Sequence, residues 1–138
     1  MKKILLISML LLSSKLFAEV EFQHNLNDID DKATCKELLE FSEEMNSQTP
    51  MKIDDSTELM LLQVLCAGKI LTYKKRVSVH TSILLDGWDA RKQLQHTQLH
   101  CNKIGLSRTR GWIVRDEIYN NDYTYAATFT TTPEDCKD

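Results

Sequence analysis

The chain has 138 residues, 42% of them hydrophobic, with 17 basic and 20 acidic side chains and a formal charge of −3. That length suits one hydrophobic core rather than two domains, and the acidic balance excludes a general nucleic-acid binder, which needs a basic footprint. Four cysteines, none in a CxxC spacing, exclude a thioredoxin-type redox centre and zinc knuckles of that kind.

Residues 1–18 read MKKILLISMLLLSSKLFA. Lys2 and Lys3 form a positive start, Ile4 to Leu12 is apolar except for Ser8, and the segment closes on Ala18. This is the layout of a signal peptide. The apolar run is shorter than the roughly 20 residues of a membrane-spanning helix. The expectation is cleavage after Ala18 and a single mature domain, 19–138, that is periplasmic or secreted and makes no stable membrane insertion. No cysteine follows the apolar run closely enough for a lipid anchor. Loss of Lys2, Lys3 and Lys15 takes the mature domain to −6, which favours solubility or a basic partner.

Residues 19–29 are polar and mixed, an arm or a short edge strand. Asp30 or Asp31 offers an N-cap, and the spacing of Cys35, Leu38, Leu39, Ser42 and Met45 predicts a helix over 31–47. Pro50 ends it. Residues 51–56 read as a connector. Thr57 to Cys66 is predicted as a strand with apolar residues on both faces. Ala67-Gly68 turns it into a second strand, 70–80, on which Leu71, Tyr73, Lys75, Val77 and Val79 share a face. The run Lys74-Lys75-Arg76 reads as a solvated strand edge.

Asp86-Gly87 starts a second helix, 88–103, with a stripe of Ala90, Leu94, Thr97 or Gln98, and Cys101. After Gly105 and a polar link, 112–119 and 123–132 form a second hairpin around Asn120-Asn121-Asp122. The predicted fold is therefore α+β: an antiparallel sheet of two hairpins packed against two helices. An even number of cysteines in an exported chain implies two disulfides. Of the three possible pairings, Cys35 with Cys66 and Cys101 with Cys136 is preferred, because each joins a helix to a neighbouring hairpin.

The stretch Asn46 to Pro50, Met51, Ile53-Asp54 and Thr57-Glu58-Leu59, with Leu71-Thr72-Tyr73, Cys101 and Pro133-Glu134-Asp135-Cys136, resembles a group of small exported, largely uncharacterised bacterial α/β proteins. The fold is also similar to that of the quorum-sensing-regulated virulence factor family. The resemblance covers about 35–136. It implies an exported α/β domain and carries no catalytic residues.

His96 and His100, one helical turn apart, are the nearest approach to a metal pair, with Asp86 or Asp89 as possible third ligands. The motif QHTQLHC lacks the glutamate of HExxH, and a Cys101 held in a disulfide can neither ligate nor act as a nucleophile beside His100. The expected reading is exposed helix histidines, no metal and no cofactor. Asp54, Asp55 and Glu58 follow Pro50 in a turn, where Asp caps backbone groups; Asp116 and Glu117 face opposite sides of a strand. Trp112, Arg115, Tyr119, Tyr123 and Tyr125, with Arg108 and Arg110 nearby, form the candidate protein-binding surface. The expected function is a non-catalytic exported protein acting on another protein, as an envelope or virulence accessory, inhibitor or immunity-like protein. The alternative is a small periplasmic hydrolase or metal-dependent enzyme.

Overall fold

The computed structural model describes residues 30–137, so the expected signal peptide and the segment 19–29 lie outside the described residues. The elements in chain order are α1 (Asp31–Asn46), β1 (Met51–Asp54), β2 (Thr57–Leu65), β3 (Ile70–Val77), a 3-10 turn (Thr81–Ile83), α2 (Trp88–His100), α3 (Leu106–Arg110), β4 (Ile113–Tyr119), β5 (Tyr125–Thr131) and a last 3-10 turn (Pro133–Cys136). Asp30 caps α1, its carboxylate accepting from the Lys32 N–H at 2.7 Å. That satisfies one of the donors a helix start leaves open. The buried positions Leu38, Phe41, Ser42 and Met45 follow the expected three- and four-residue steps.

The five strands make one mixed sheet in the order β1-β2-β3-β4-β5. Both expected hairpins are present, β2 with β3 and β4 with β5. Two expectations about the sheet need correction. Residues 51–54 are a strand, not a connector, with Met51 opposite Leu59; four residues are too few for alternation to register as a signal. The sheet is also not wholly antiparallel, because β3 and β4 run parallel, Leu71 opposite Val114 and Lys75 opposite Ile118. Parallel neighbours need a long crossover, and the connection carrying α2 and α3 supplies it.

Register places Thr57, Leu59, Leu62, Leu71, Tyr73, Val77, Val114, Ile118 and Phe129 on one face. All are buried. α1 packs over β2 and α2 over β5, so the two longer helices cover this face. Leu38, Phe41 and Met45 meet Leu59, Leu62, Leu71, Tyr73, Trp112 and Val114 in the larger apolar cluster. A smaller one gathers Val77, Ile118 and Phe129 against Leu84 and Trp88. Both preferred disulfides are formed, Cys35–Cys66 and Cys101–Cys136.

The two sheet edges are blunted. β1 is short and its register shifts between Lys52 and Asp54. At the other edge the Gln93 side chain of α2 donates to the Thr130 carbonyl at 2.9 Å and accepts from the Thr130 N–H at 3.2 Å. One amide thus occupies the place of an added strand. Between α2 and α3, a Cβ at Gly105 would lie 2.1 Å from the His100 carbonyl oxygen. Only glycine permits so close a turn.

Candidate functional site

α2 buries a polar face, opposite to the one expected. Ala90 and Leu94 are exposed, while His96 and His100 are 3% and 2% exposed. The histidines are therefore not surface residues. They sit over Lys75 and Asp116, which lie on the core face of β3 and β4, and Lys75 is 1% exposed rather than part of a solvated edge. The reason is register: Lys74 and Arg76 point to the open face, and the residue between them must point in.

Lys75 Nζ donates to Asp116 Oδ2 at 2.9 Å and lies 5.3 Å from the centre of the Tyr73 ring. His96 Nδ1 is 2.6 Å from Thr131 Oγ1, and its Nε2 is 3.7 Å from Asp116 Oδ1. The His96 and His100 rings are 4.4 Å apart. Burial would raise the Asp116 carboxyl, but Lys75 and His96 outweigh it and hold the group well below the usual carboxylate range. His100 is pushed down to about 3, by burial first and by His96 second. The histidines thus cover an acid and a lysine that the paired strands β3 and β4 bring together. Among the described residues no three His, Cys, Asp or Glu side chains are placed to hold one metal ion.

The surface features gather at one end of the sheet. Because β3 and β4 are parallel, both finish there, and the loops that leave them lie side by side. The side chain of Asn120, 3% exposed, joins the loops. Its Oδ1 accepts from the Thr81 N–H at 2.9 Å and the Thr81 hydroxyl at 2.8 Å, and its Nδ2 donates to Thr124 Oγ1 at 2.9 Å. Its backbone N–H donates to the Thr124 carbonyl at 2.8 Å, closing the hairpin tip.

On these joined loops, and on the first residue of β5, stand Ile83, Leu85, Tyr123 and Tyr125, exposed by 72%, 80%, 61% and 60%. Tyr123 has φ +69, which is rare for a bulky residue. Its N–H donates to the Asn120 carbonyl at 3.0 Å. Its ring lies under the Arg76 guanidinium, 4.7 Å from centroid to carbon, and Arg76 Nη1 donates to the Asn121 carbonyl at 3.0 Å. Tyr119 and Tyr125 meet edge to face at 6.1 Å. The Tyr119 hydroxyl donates to Glu117 Oε1 at 3.1 Å, and desolvation together with that bond raises its pKa.

Of the five expected surface residues, the structure brings Tyr119, Tyr123 and Tyr125 to this end. Arg115 is on the open sheet face but lies mid-strand, between Thr72 and Thr130. Trp112 is a correction: it is 1% exposed and belongs to the larger apolar cluster. It lies just after Gly111, whose φ of +71 ends α3, and the turn directs the indole inward. Arg108 and Arg110 lie on α3, away from the tip, and Arg110 is buried. The sequence reading missed Arg76, Ile83, Leu85 and the joining role of Asn120. The run Ile83-Leu84-Leu85, apolar yet outside any predicted element, was the available signal.

No protein-family model matches the chain, and neither does any curated protein. Two solved structures do. A candidate secreted protein of Pseudomonas aeruginosa superposes with a TM-score of 0.58 at 19% identity, over 80% of this chain and 98% of that one. The pilotin of the Vibrio vulnificus type 2 secretion system superposes with a TM-score of 0.51 at 12% identity, over 78% of this chain and 96% of that one. At these identities the likeness is one of fold: an α+β domain also found in small exported bacterial proteins.

Proposed function

We propose that the mature chain is a non-catalytic exported protein that acts by binding another protein, and that the end of the sheet carrying Ile83, Leu85, Tyr119, Tyr123 and Tyr125 is its contact surface. The observation that carries this is the set of four large side chains, each at least 60% exposed, on two loops that a buried asparagine fixes together and on the first residue of β5. Exposed apolar groups that cluster mark interaction sites, and rigid tyrosines lose little freedom when they bind. The shared fold of a secretion-system pilotin supports an accessory role at the cell envelope. The narrower reading, a virulence accessory of the quorum-sensing-regulated kind or an inhibitor or immunity-like protein, is carried by the motif resemblance. The hydrolytic alternative draws no support from His96 and His100, which are closed off from solvent.

The test is photo-crosslinking in the exporting cell, with a benzophenone amino acid at Leu85, at Tyr123 and, as control, at Leu94 on α2. A discrete cross-linked product from the first two positions and not from Leu94 is expected. Tyr123→Ser with Leu85→Ser, in a protein whose disulfides still form, abolishes capture by a probe at Tyr125. Equal labelling from all three positions refutes the surface.

A further inference from the structure

α2 covers β5 with a polar face. The side chains it buries are His96 and His100. Of its residues only Trp88, the first, joins an apolar cluster, meeting Phe129 edge to face at 6.0 Å. Its hydrogen bonds to the strand run from Gln93 to both backbone groups of Thr130 and from His96 to the Thr131 hydroxyl. α1, by contrast, sets Leu38, Phe41 and Met45 into the larger apolar cluster. We propose that α2 is an acid-released cover: it lifts from the sheet while the rest of the fold stays closed, and so uncovers the β5 edge. This device is separate from the contact loops and does not rest on their role.

Three features favour release of this element alone. First, a segment with few buried apolar contacts opens before the fold as a whole. Second, α2 seals Lys75 and Asp116 from water. A sealed ion pair loses much of its attraction to lost hydration, and lifting the helix restores that hydration. Third, both ends are tethered. The helix starts at Gly87, whose φ of +82 suits glycine, and Cys101 at its other end is bonded to Cys136. It leaves the sheet without leaving the molecule. Acid acts through His100. The groups facing the two histidines are each other, with rings 4.4 Å apart, Lys75 of β3 and Asp116 of β4. β5 adds the Thr131 hydroxyl. α3, which touches α2, carries the buried Arg110, and the last 3-10 turn carries the exposed Glu134 and Asp135. In the closed form burial first, and His96 second, push His100 down to about 3. Once lifted, the ring meets water and takes a proton near its ordinary 6.5. The open form then holds one proton more, and its population rises tenfold for each pH unit below that value. With Gln93 withdrawn, the Thr130 N–H and carbonyl are bare, and a bare edge pairs with an added strand.

The experiment is amide hydrogen exchange of the mature protein with its disulfides intact, from pH 7.5 to pH 5. Each rate is divided by the intrinsic rate of that amide at that pH. The Thr130 N–H, bonded to Gln93, reports the edge. Amides 94–100 report the helix, and those of β3 and α1 report global unfolding. Thr130 and 94–100 are expected to share one opening constant, at least about tenfold above that of β3 and α1. That constant should rise about thirtyfold from pH 7.5 to pH 5, the uptake of one proton. In His100→Gln the rise disappears. Gln93→Ala raises the opening of 94–100 about tenfold at every pH and keeps the slope, since it removes hydrogen bonds and no titrating group. Exchange of Thr130 or 94–100 in step with β3 and α1, a wild-type opening constant independent of pH, or a slope that survives in His100→Gln overturns the inference. If His100→Gln does not fold, the wild-type and Gln93→Ala series decide by the same criteria.

Discussion

Acid should destabilise this protein well above the range in which carboxylates titrate, and His100 is the reason. Its folded value of about 3 lies far below the ordinary 6.5. Between those two values the unfolded chain takes up a proton that the folded protein refuses. The stability contribution is therefore complete above pH 6.5 and is lost as pH falls. One proton corresponds to about 1.4 kcal/mol per pH unit, so about 2 kcal/mol is lost by pH 5, out of a total of roughly 5–15 kcal/mol for a domain of this kind. Asp116 is also depressed, and its contribution is lost only as pH falls below its ordinary 3.8. The two windows are therefore separable. Urea unfolding without reductant at a series of pH values between 7.5 and 4.5 should show the free energy falling with decreasing pH. In His100→Gln the slope should be shallower by one proton. The His100 ring signals, followed by NMR, should not titrate above about pH 5. A wild-type curve that is flat to pH 5, or a His100→Gln curve parallel to the wild type, would refute the reasoning.

Removing one member of the buried pair leaves the other charged and unmatched, so Lys75→Met should cost about 3–5 kcal/mol, and Lys75→Met with Asp116→Leu distinctly less; denaturant midpoints of the two variants check this. Asn120→Ala should speed hydrogen exchange at 81–84 and 120–124 while leaving that of β3 and α1 unchanged, at a cost of about 1–3 kcal/mol for the donors it strands. Gln93→Ala uncovers both backbone groups of Thr130 and should raise concentration-dependent light scattering without altering the disulfides, since the β5 edge is then open to pairing.

α1 was legible because three local signals agree: the Asp30 cap, the apolar spacing from Leu38 to Met45, and Pro50. The core face of β3 was legible as well, but its consequence for Lys75 was not, because charge was weighed ahead of register. α2 misled for a related reason. Its apolar residues Ala90 and Leu94 face solvent, while Gln93, His96 and His100 face the sheet. A periodicity argument assumes that apolar side chains mark the buried face, and here a buried ion pair inverts the assignment. The parallel pairing of β3 and β4 depends on a crossover of more than thirty residues and has no local trace. Asn120 was recognised as a turn residue; that it also reaches Thr81 is a contact across 39 positions, which no neighbouring residue announces.

The two disulfides lie at the same end of the molecule. Cys66 follows β2 where β3 begins, and Cys136 follows β5 beside the start of β4. The contact loops are at the opposite end, where β3 and β4 finish. Cross-links spanning 31 and 35 residues each restrict the unfolded chain by roughly 3–4 kcal/mol in the chain-entropy account. That restraint acts wholly at the end away from the loops. The molecule is thus anchored like a comb held by its spine: the tips are fixed by non-covalent contacts, the Asn120 hydrogen bonds, the Arg76–Tyr123 stack and the packing of Leu84, and can give slightly against a bound surface. The cross-linked end keeps its shape while they do.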